Sequence, residues 1–344
     1  MSDHHPELGF YTLPGHPDST RDLVDEVRTG EAMGFGTVWV SERYHLKEAA
    51  VVCGAAGAVS DRITIATAAT NHNTRHPMVT AGIASAMQSL TDGRFVLGLG
   101  RGIGRLQDAY GIPRITTAQM EDFVDLMRRL FRGEVIMGHD GPAGSWPVLH
   151  LHASYDEYLP MALTAFGPRS LDLGGRCFDE VVLHTYFTDE TTARCVRTVK
   201  QAAERAGRDP DDVRVWSCLA TVGDHVPADT QLRKTVGRLA TYLQGYGDLL
   251  VATNDWDPAV LERFRADELV AGFGGGLDVT GTTEQLEHVA TLLPDEWLAP
   301  AAMGSAEQCA ATVRSQLDLG CDAVILLGAS PTELTPVLEA YRGG

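Results

Sequence analysis

Between residues 34 and 102 the chain alternates apolar, β-branched segments with helical ones, and this alternation constrains the fold more than any other feature. The predicted segments are strand 36–41, helix 47–60, strand 62–69, helix 78–90 and strand 94–99. Apolar strands separated by helices predict a parallel sheet covered by helices. In such sheets, ligands and catalytic residues collect beyond the carboxyl ends of the strands.

The same rhythm extends over most of the 344 residues. The predicted strands are 8–13, 36–41, 62–69, 94–99, 160–165, 180–184, 213–222 and 323–327. The predicted helices are 20–33, 47–60, 78–90, 119–131, 170–174, 190–206 and 306–319. Eight strands in β-then-α order predict an α/β protein, a (β/α)8 TIM barrel forming one domain over 1–344. The alternative is a doubly wound open sheet, but residues 9–15 lack its glycine fingerprint.

Two excursions interrupt the rhythm, and we expect them at the carboxyl-terminal face of the barrel, as lids or substrate-binding walls. Residues 134–158 are rich in Gly, Pro and His and predict a loop, with a short hairpin at 147–152. Residues 224–305 contain amphipathic helices near 232–242 and 258–265 and a Gly-rich segment at 272–276.

Composition narrows the classes of partner. The net charge of −18 argues against a nucleic-acid partner, and no apolar run reaches the ~20 residues needed to span a bilayer. The polar N-terminus does not read as a signal peptide, so we expect a cytoplasmic protein. Six cysteines without a CxxC pair are expected to be reduced and structural. The histidines of the first excursion lack a carboxylate at ligand spacing, so no metal is predicted.

Four segments in order, 32–42, 75–79, 90–102 and 165–171, resemble the luciferase-like monooxygenase superfamily of flavin and deazaflavin oxidoreductases. The resemblance covers nearly the whole chain and is strongest to the F420-dependent oxidoreductase branch. It implies a (β/α)8 barrel whose mouth holds the ring of FMN or of coenzyme F420. It also implies a small-molecule substrate and a homodimer.

Glu42 and Arg43 end the second predicted strand, where many F420-using relatives carry Asp followed by His beside the reactive ring carbon. Arg stays charged and cannot shuttle a proton. We expect both residues to be catalytic, with Arg43 offsetting charge on the ring or orienting a substrate carbonyl. An acid step would then come from Glu42, Tyr44, His45 or a loop histidine. The alternative is a Glu–Arg ion pair at the rim.

The resemblance also implies where the cofactor lies. A non-proline cis bond between Ala68 and Ala69, after Thr67, would support the ring from behind; ordinary small-residue packing is the alternative. Asn71 is expected at the ring edge, and His72 and His184 are predicted substrate contacts. His76 is expected to cap the following helix.

Two glycine-containing turns are predicted to hold the cofactor phosphate. The first is Gly100, Arg101 and Gly102, because glycines let backbone N–H groups approach an oxyanion and the Arg fork matches phosphate. The second is Ala165, Phe166, Gly167 and Pro168, where backbone amides open a helix; an ordinary strand-to-helix turn is the alternative. Sugar-phosphate-oxidising relatives carry a catalytic Glu just beyond the first turn. Here Ile103 and Gly104 follow, so that substrate class is not predicted.

These features together predict an F420-dependent oxidoreductase that passes a hydride between the deazaflavin and a small organic substrate. An FMN-dependent monooxygenase on the same barrel is the first alternative, because Arg101 suits either phosphate. A cofactor-binding protein without turnover is the second, supported by the loss of the Asp-His pair.

Overall fold

Eight parallel strands close into a barrel in the computed structural model, which describes residues 4–15, 17, 19–44, 46–152 and 158–343. In chain order the strands are β1 His5–Tyr11, β2 Phe35–Val40, β3 Thr64–Thr67, β4 Phe95–Leu99, β5 Ile136–Gly141, β6 Gly144–Leu149, β7 Met161–Thr164, β8 Glu180–Val182, β9 Arg214–Gly223, β10 Ala302–Gly304 and β11 Ala323–Leu327. The barrel order is β9-β11-β1-β2-β3-β4-β7-β8, and pairing of β8 with β9 closes it. The eight strands predicted from the sequence are these eight.

Helices follow the barrel strands and form the outer layer. They are α1 Leu23–Ala32, α2 Ala49–Ala58, α3 Pro77–Leu90, α4 Gly104–Tyr110, α5 Thr117–Phe131, α6 Pro168–Cys177, α7 Asp189–Arg205, α8 Ala228–Leu232, α9 Arg238–Asn254, α10 Pro258–Ala266, α11 Glu268–Gly272, α12 Leu277–Thr280, α13 Thr283–Ala290, α14 Asp295–Leu298, α15 Ala306–Asp318 and α16 Pro331–Gly343. The predicted (β/α)8 barrel is therefore confirmed. No described helix is long and apolar enough to cross a bilayer.

Side chains fill the barrel interior. Trp39 on β2 and Trp216 on β9 meet edge to face, with ring centroids 5.1 Å apart, and small residues such as Ala66 and Ala162 complete the same buried cluster. A second and larger apolar layer separates the barrel from the helices. Because the interior is packed, a ligand site belongs at the mouth rather than within the barrel.

Local signals in the sequence account for several helix starts. The Ser305 side chain accepts a hydrogen bond from Gln308 N and opens α15 with a capping box. The predicted cap of α3 is confirmed, because His76 Nδ1 accepts from Met78 N at 3.2 Å. Pro168 occupies the first turn of α6, where its missing N–H is not needed.

The two excursions differ from their predictions in detail. The hairpin lies at β5 and β6 rather than at 147–152, because Ile136 pairs with Leu149 and Met137 with Val148. The first strand contains Gly138, with φ of 64°, followed by two polar residues. It therefore lacks the run of β-branched residues that predicts a strand. The end of this excursion, 153–157, lies outside the described residues. The second excursion is mainly helical but also holds β10, a short strand beside the end of β9 that the sequence analysis missed.

Candidate functional site at the barrel mouth

The floor of the mouth is the end of β3. The peptide bond between Ala68 and Ala69 is cis, as predicted. Ala68 N donates to Val40 O at 2.8 Å, and Ala69 O accepts from Glu42 N at 3.3 Å, so this turn is tied to the end of β2. Thr67 turns its hydroxyl to β4, where it donates to Gly98 O at 2.7 Å and accepts from Gly98 N at 2.8 Å. The Thr67 hydroxyl is thus engaged within the sheet, so contact with a ligand would come from the Ala68–Ala69 turn rather than from the Thr67 side chain.

Glycine is required where β4 passes this floor. A Cβ on Gly98 would lie 1.6 Å from Thr67 O, and a Cβ on Gly100 would lie 2.7 Å from Ala69 Cβ. The end of β4 therefore lies directly against the cis turn. Gly102 has φ of 73° and begins the loop into α4.

Asn71 links three of the loops at the mouth. Its Nδ2 donates to Gly100 O at 2.6 Å, and its Oδ1 accepts from the Tyr44 hydroxyl. Asn71 is buried. It therefore orients the loops after β2, β3 and β4 relative to one another, whatever it also contributes to a ligand.

Arg101 and Arg169 place two positive charges beside each other at this edge. Arg101 donates to Thr117 Oγ1, and burial, followed by the charge of Arg169, lowers the pKa of Arg101. Neither guanidinium forms an ion pair with any described residue. Arg169 lies in the first turn of α6, whose amino end also favours an anion. Two adjacent cations without a carboxylate fit a bound phosphate, and Arg169 is a site residue that the sequence analysis did not select.

The turn from β7 into α6 follows the predicted arrangement. Gly167 is the N-cap of α6 and Pro168 its first residue. The Phe166 N–H donates to Ser170 Oγ at 3.2 Å, and Ala165 is buried. The Phe166 ring turns toward the mouth and packs on His184, with centroids 4.4 Å apart.

Glu42 does not pair with Arg43. Its carboxylate forms a two-point contact with Arg75, accepts from Thr70 Oγ1 at 2.7 Å, and leaves only 2% of its side chain exposed. Arg75 also contacts the more exposed Glu48. The alternative of a Glu42–Arg43 ion pair is therefore wrong in its partner, and the bonds of Glu42 fit a residue that holds the β2 and β3 ends together.

Arg43 lies in a cationic corner, defined here as Arg43, Lys47 and Arg238. Arg43 Nη1 donates to Gly15 O at 2.7 Å, and Arg238 Nη2 lies 3.6 Å from where a Cβ on Gly15 would stand. Lys47 Nζ donates to Leu13 O at 2.9 Å.

Burial lowers the pKa of Arg43, and the nearby charge of Arg238 lowers it further. Asp278 lies 2.8 Å from Arg238 and partly balances the corner. Lys47 and Arg238 were not predicted. Lys47 lies within an apolar helix start and Arg238 in a distant excursion, so no local motif marks either residue.

His184 lies two residues beyond β8 within an aromatic wall, defined here as Phe166, His184, Phe187, Tyr242 and Tyr246. His184 Nδ1 lies 2.9 Å from Thr185 O, and Nε2 lies 2.9 Å from the Tyr246 hydroxyl. Burial lowers the pKa of His184 to about 4, so the ring is neutral at pH 7.

His72, the other predicted substrate contact, lies elsewhere. Its ring stacks on Phe123 of α5, with centroids 4.6 Å apart, and burial lowers its pKa to about 4. The structure therefore places His72 behind the loop after β3, against the helical layer. Among the described residues, no group of three or more His, Cys, Asp or Glu could hold a metal ion.

Comparison with known proteins agrees with this architecture. The chain is 23% identical over 324 residues to 5,10-methylenetetrahydromethanopterin reductase of Methanolobus tindarius, covering 92% of this chain and 93% of that protein. It is 26% identical over 217 residues to the F420-dependent glucose-6-phosphate dehydrogenase of Intrasporangium calvum, covering 56% of this chain and 63% of that one.

Solved structures show the same fold. The coenzyme F420-dependent tetrahydromethanopterin reductase of Methanopyrus kandleri superposes with a TM-score of 0.82 at 16% identity, covering 98% of both chains. An F420-dependent secondary alcohol dehydrogenase in complex with an F420–acetone adduct gives 0.74 at 18% identity, covering 98% of this chain and 99% of that one. The family model for luciferase-like monooxygenases matches residues 4–323, and the chain belongs to this family.

Proposed function

We propose that this protein is an F420-dependent oxidoreductase that transfers a hydride between the deazaflavin and a small organic substrate. The observation that carries the proposal is the pair of cations, Arg101 and Arg169, beside the cis turn at Ala68 and Ala69. Several similar proteins are named as F420-dependent, including the glucose-6-phosphate dehydrogenase and the two solved structures.

Different residues of the mouth would bind the phosphate, support the ring and position the surrounding loops. Arg101, Arg169 and the amino end of α6 would hold the phosphate, and the backbone at Ala68 and Ala69 would support the ring. When bound, F420 supplies a ring carbon that accepts or gives a hydride. Asn71 and Glu42 act by positioning the loops that surround the ring, because the hydrogen bonds described above occupy their polar atoms.

The substrate would lie between the aromatic wall and the cationic corner. Arg43 presents a permanent positive charge there and can stabilise negative charge that develops on a substrate oxygen. The aromatic wall excludes water from the other side. We therefore expect a small, partly apolar molecule with at least one polar reacting atom.

Parallel calorimetric titrations with F420 and with FMN test the cofactor. We expect F420 to bind with micromolar or lower Kd and FMN to bind more weakly. Loss of one charged hydrogen bond costs about 1.5–3 kcal/mol, so Arg101→Gln and Arg169→Gln should each raise the Kd for F420 roughly 10- to 100-fold. Arg132→Gln is the matched control, because Arg132 is exposed and follows the distant end of α5.

The possible results separate the alternatives. Preference for FMN would replace the proposal with oxygen chemistry on the same barrel. Binding of F420 without hydride exchange, together with indifference to Arg43→Ala, would indicate a carrier. Binding of neither cofactor would contradict the assignment of the mouth as a cofactor site.

We also propose that the protein is a homodimer. Helix α2 consists only of Ala, Val, Gly and Cys, and the side chain of Val51 on its outer face is 71% exposed. Helices that are apolar all round are normally buried. A second copy of this chain would cover that outer face.

A further inference from the structure

Tyr246 occupies an irregular position in the helix that closes the mouth. Within α9 its φ of −156° and ψ of 37° depart from helical values and kink the helix there. Tyr246 is half-buried, and its ring stacks on Tyr242, with centroids 5.4 Å apart, and meets Phe166 edge to face at 5.7 Å. The kink thus brings one hydroxyl of the second excursion to the end of β8.

The hydrogen bonds of His184 decide which atom, His184 Nε2 or Tyr246 Oη, carries the hydrogen that they share. The Thr185 carbonyl oxygen can only accept, so His184 Nδ1 carries a hydrogen and donates to it at 2.9 Å. In the neutral ring Nε2 is then a lone-pair acceptor. The Tyr246 hydroxyl, 2.9 Å from Nε2, must donate. The lone pairs of Tyr246 Oη remain to accept a hydrogen bond from a ligand.

Two cations near this pair offset part of the effect that burial has on Tyr246. Burial raises the pKa of Tyr246, and Tyr242 of the wall adds to the rise, whereas Arg238 and Arg43 of the cationic corner lower it. Tyr242 and Cys218 are the other titratable groups that face Tyr246. Negative charge that develops on Tyr246 Oη therefore faces two permanent cations. No described carboxylate accepts a hydrogen bond from Tyr246 or His184.

We propose that Tyr246 is a catalytic residue that exchanges a proton with the reacting oxygen of the substrate, and that His184 is the base behind it. This inference rests on the proposed function. When an alcohol is oxidised, its carbon gives a hydride to the oxidised deazaflavin and its O–H proton passes to Tyr246 Oη. The original phenolic proton passes to His184 Nε2, which leaves a carbonyl product and an imidazolium held by Thr185. Reduction of a carbonyl uses the same path in reverse. This relay supplies the proton step that Arg43 cannot perform.

The position of the proton can be measured without knowing the substrate. In the ¹⁵N-histidine NMR spectrum, with the His184 signals assigned by their loss in His184→Gln, we expect Nδ1–H and an unprotonated Nε2 at pH 7. Tyr246→Phe removes a hydrogen bond that stabilises the neutral ring, so the pKa of His184 should rise from about 4. An Nε2–H tautomer, or a pKa unchanged in Tyr246→Phe, would overturn the relay.

A second measurement concerns turnover, with F420 and a series of secondary alcohols from 2-propanol to cyclohexanol as probes. Tyr246→Phe should bind F420 like the wild type but lose about 10²–10⁴-fold in kcat together with the pH dependence of kcat. Tyr186→Phe is the matched control, because that hydroxyl donates to Thr235 O, away from His184. A kcat of Tyr246→Phe equal to that of the wild type would overturn only the relay. Failure of the wild type to bind F420 would overturn the proposed function.

Discussion

At the scale of single residues, Glu42 and Glu48 share the partner Arg75 but differ in burial. Only 2% of the Glu42 side chain is exposed, against 45% for Glu48. Breaking a buried ion pair leaves an uncompensated charge, so Glu42→Gln should lower the free energy of unfolding by about 3 kcal/mol. Glu48→Gln should cost about 1 kcal/mol, because it weakens an exposed pair and the cap of α2. Equal losses in denaturant unfolding would contradict this distinction.

Lys47 should make stability depend on pH. Burial, and secondly the charge of Arg43, lower its pKa to about 7 from an ordinary 10.5. Between these values the unfolded chain binds more protons than the native protein, so the free energy of unfolding should rise with pH relative to Lys47→Met. Below about pH 7 both states are protonated, and the difference between the two proteins should be constant. Denaturant unfolding from about pH 6.5 to 9.5 measures it, and a difference that falls with pH would contradict the burial of this amine.

The role of a residue could be predicted from the sequence where a local motif marked it, and could not be predicted where it depended on distant partners. The cis bond at Ala68, the cap at His76 and the helix start at Pro168 follow from local pattern or family resemblance. The partner of Glu42 did not, because Arg75 is 33 positions away and the adjacent Arg43 looked like the natural partner. Tyr246 could not be selected either, since it lies beyond the amphipathic helix predicted near 232–242 and, as a lone tyrosine, is indistinguishable from a packing residue.

At the scale of elements, the contact of β3 with β4 depends on Gly98. A Cβ there would overlap the Thr67 carbonyl oxygen, which belongs to the backbone and cannot turn away. Gly98→Ala should therefore cost about 3 kcal/mol or more, or prevent folding. Gly82→Ala is the matched control in α3, where a Cβ meets nothing within 4 Å, and it should stabilise by about 0.5–1 kcal/mol. Calorimetric Tm values that coincide for the two variants would contradict this packing.

Element prediction was accurate in the barrel and poorer in the excursions. Barrel strands are buried on both faces and show as continuous apolar runs. The β5–β6 hairpin packs on α5, where His139 contacts Asp122 at 3.1 Å. Most of its residues are at least partly exposed, so it does not form a continuous apolar run. The three-residue β10 exists only because it pairs with the end of β9, which is tertiary information.

At the scale of the whole molecule, the proposed dimer can be tested by one charge. Val51→Asp would place a carboxylate on the apolar outer face of α2, so we expect light scattering to shift from twice 37.1 kDa toward 37.1 kDa. Met137→Asp is the matched control, because this side chain on β5 is 69% exposed and lies outside the proposed interface. Dissociation by both variants, or by neither, would contradict the placement of the interface.

The most direct test of the whole account is a crystal structure of the protein with bound F420. The account predicts the deazaflavin ring against the Ala68–Ala69 turn, with phosphate oxygens within hydrogen-bond distance of Arg101 and Arg169. It also predicts an open space between the ring, Arg43 and Tyr246 for the substrate. A ring bound away from the cis turn, or a phosphate held by other residues, would contradict it.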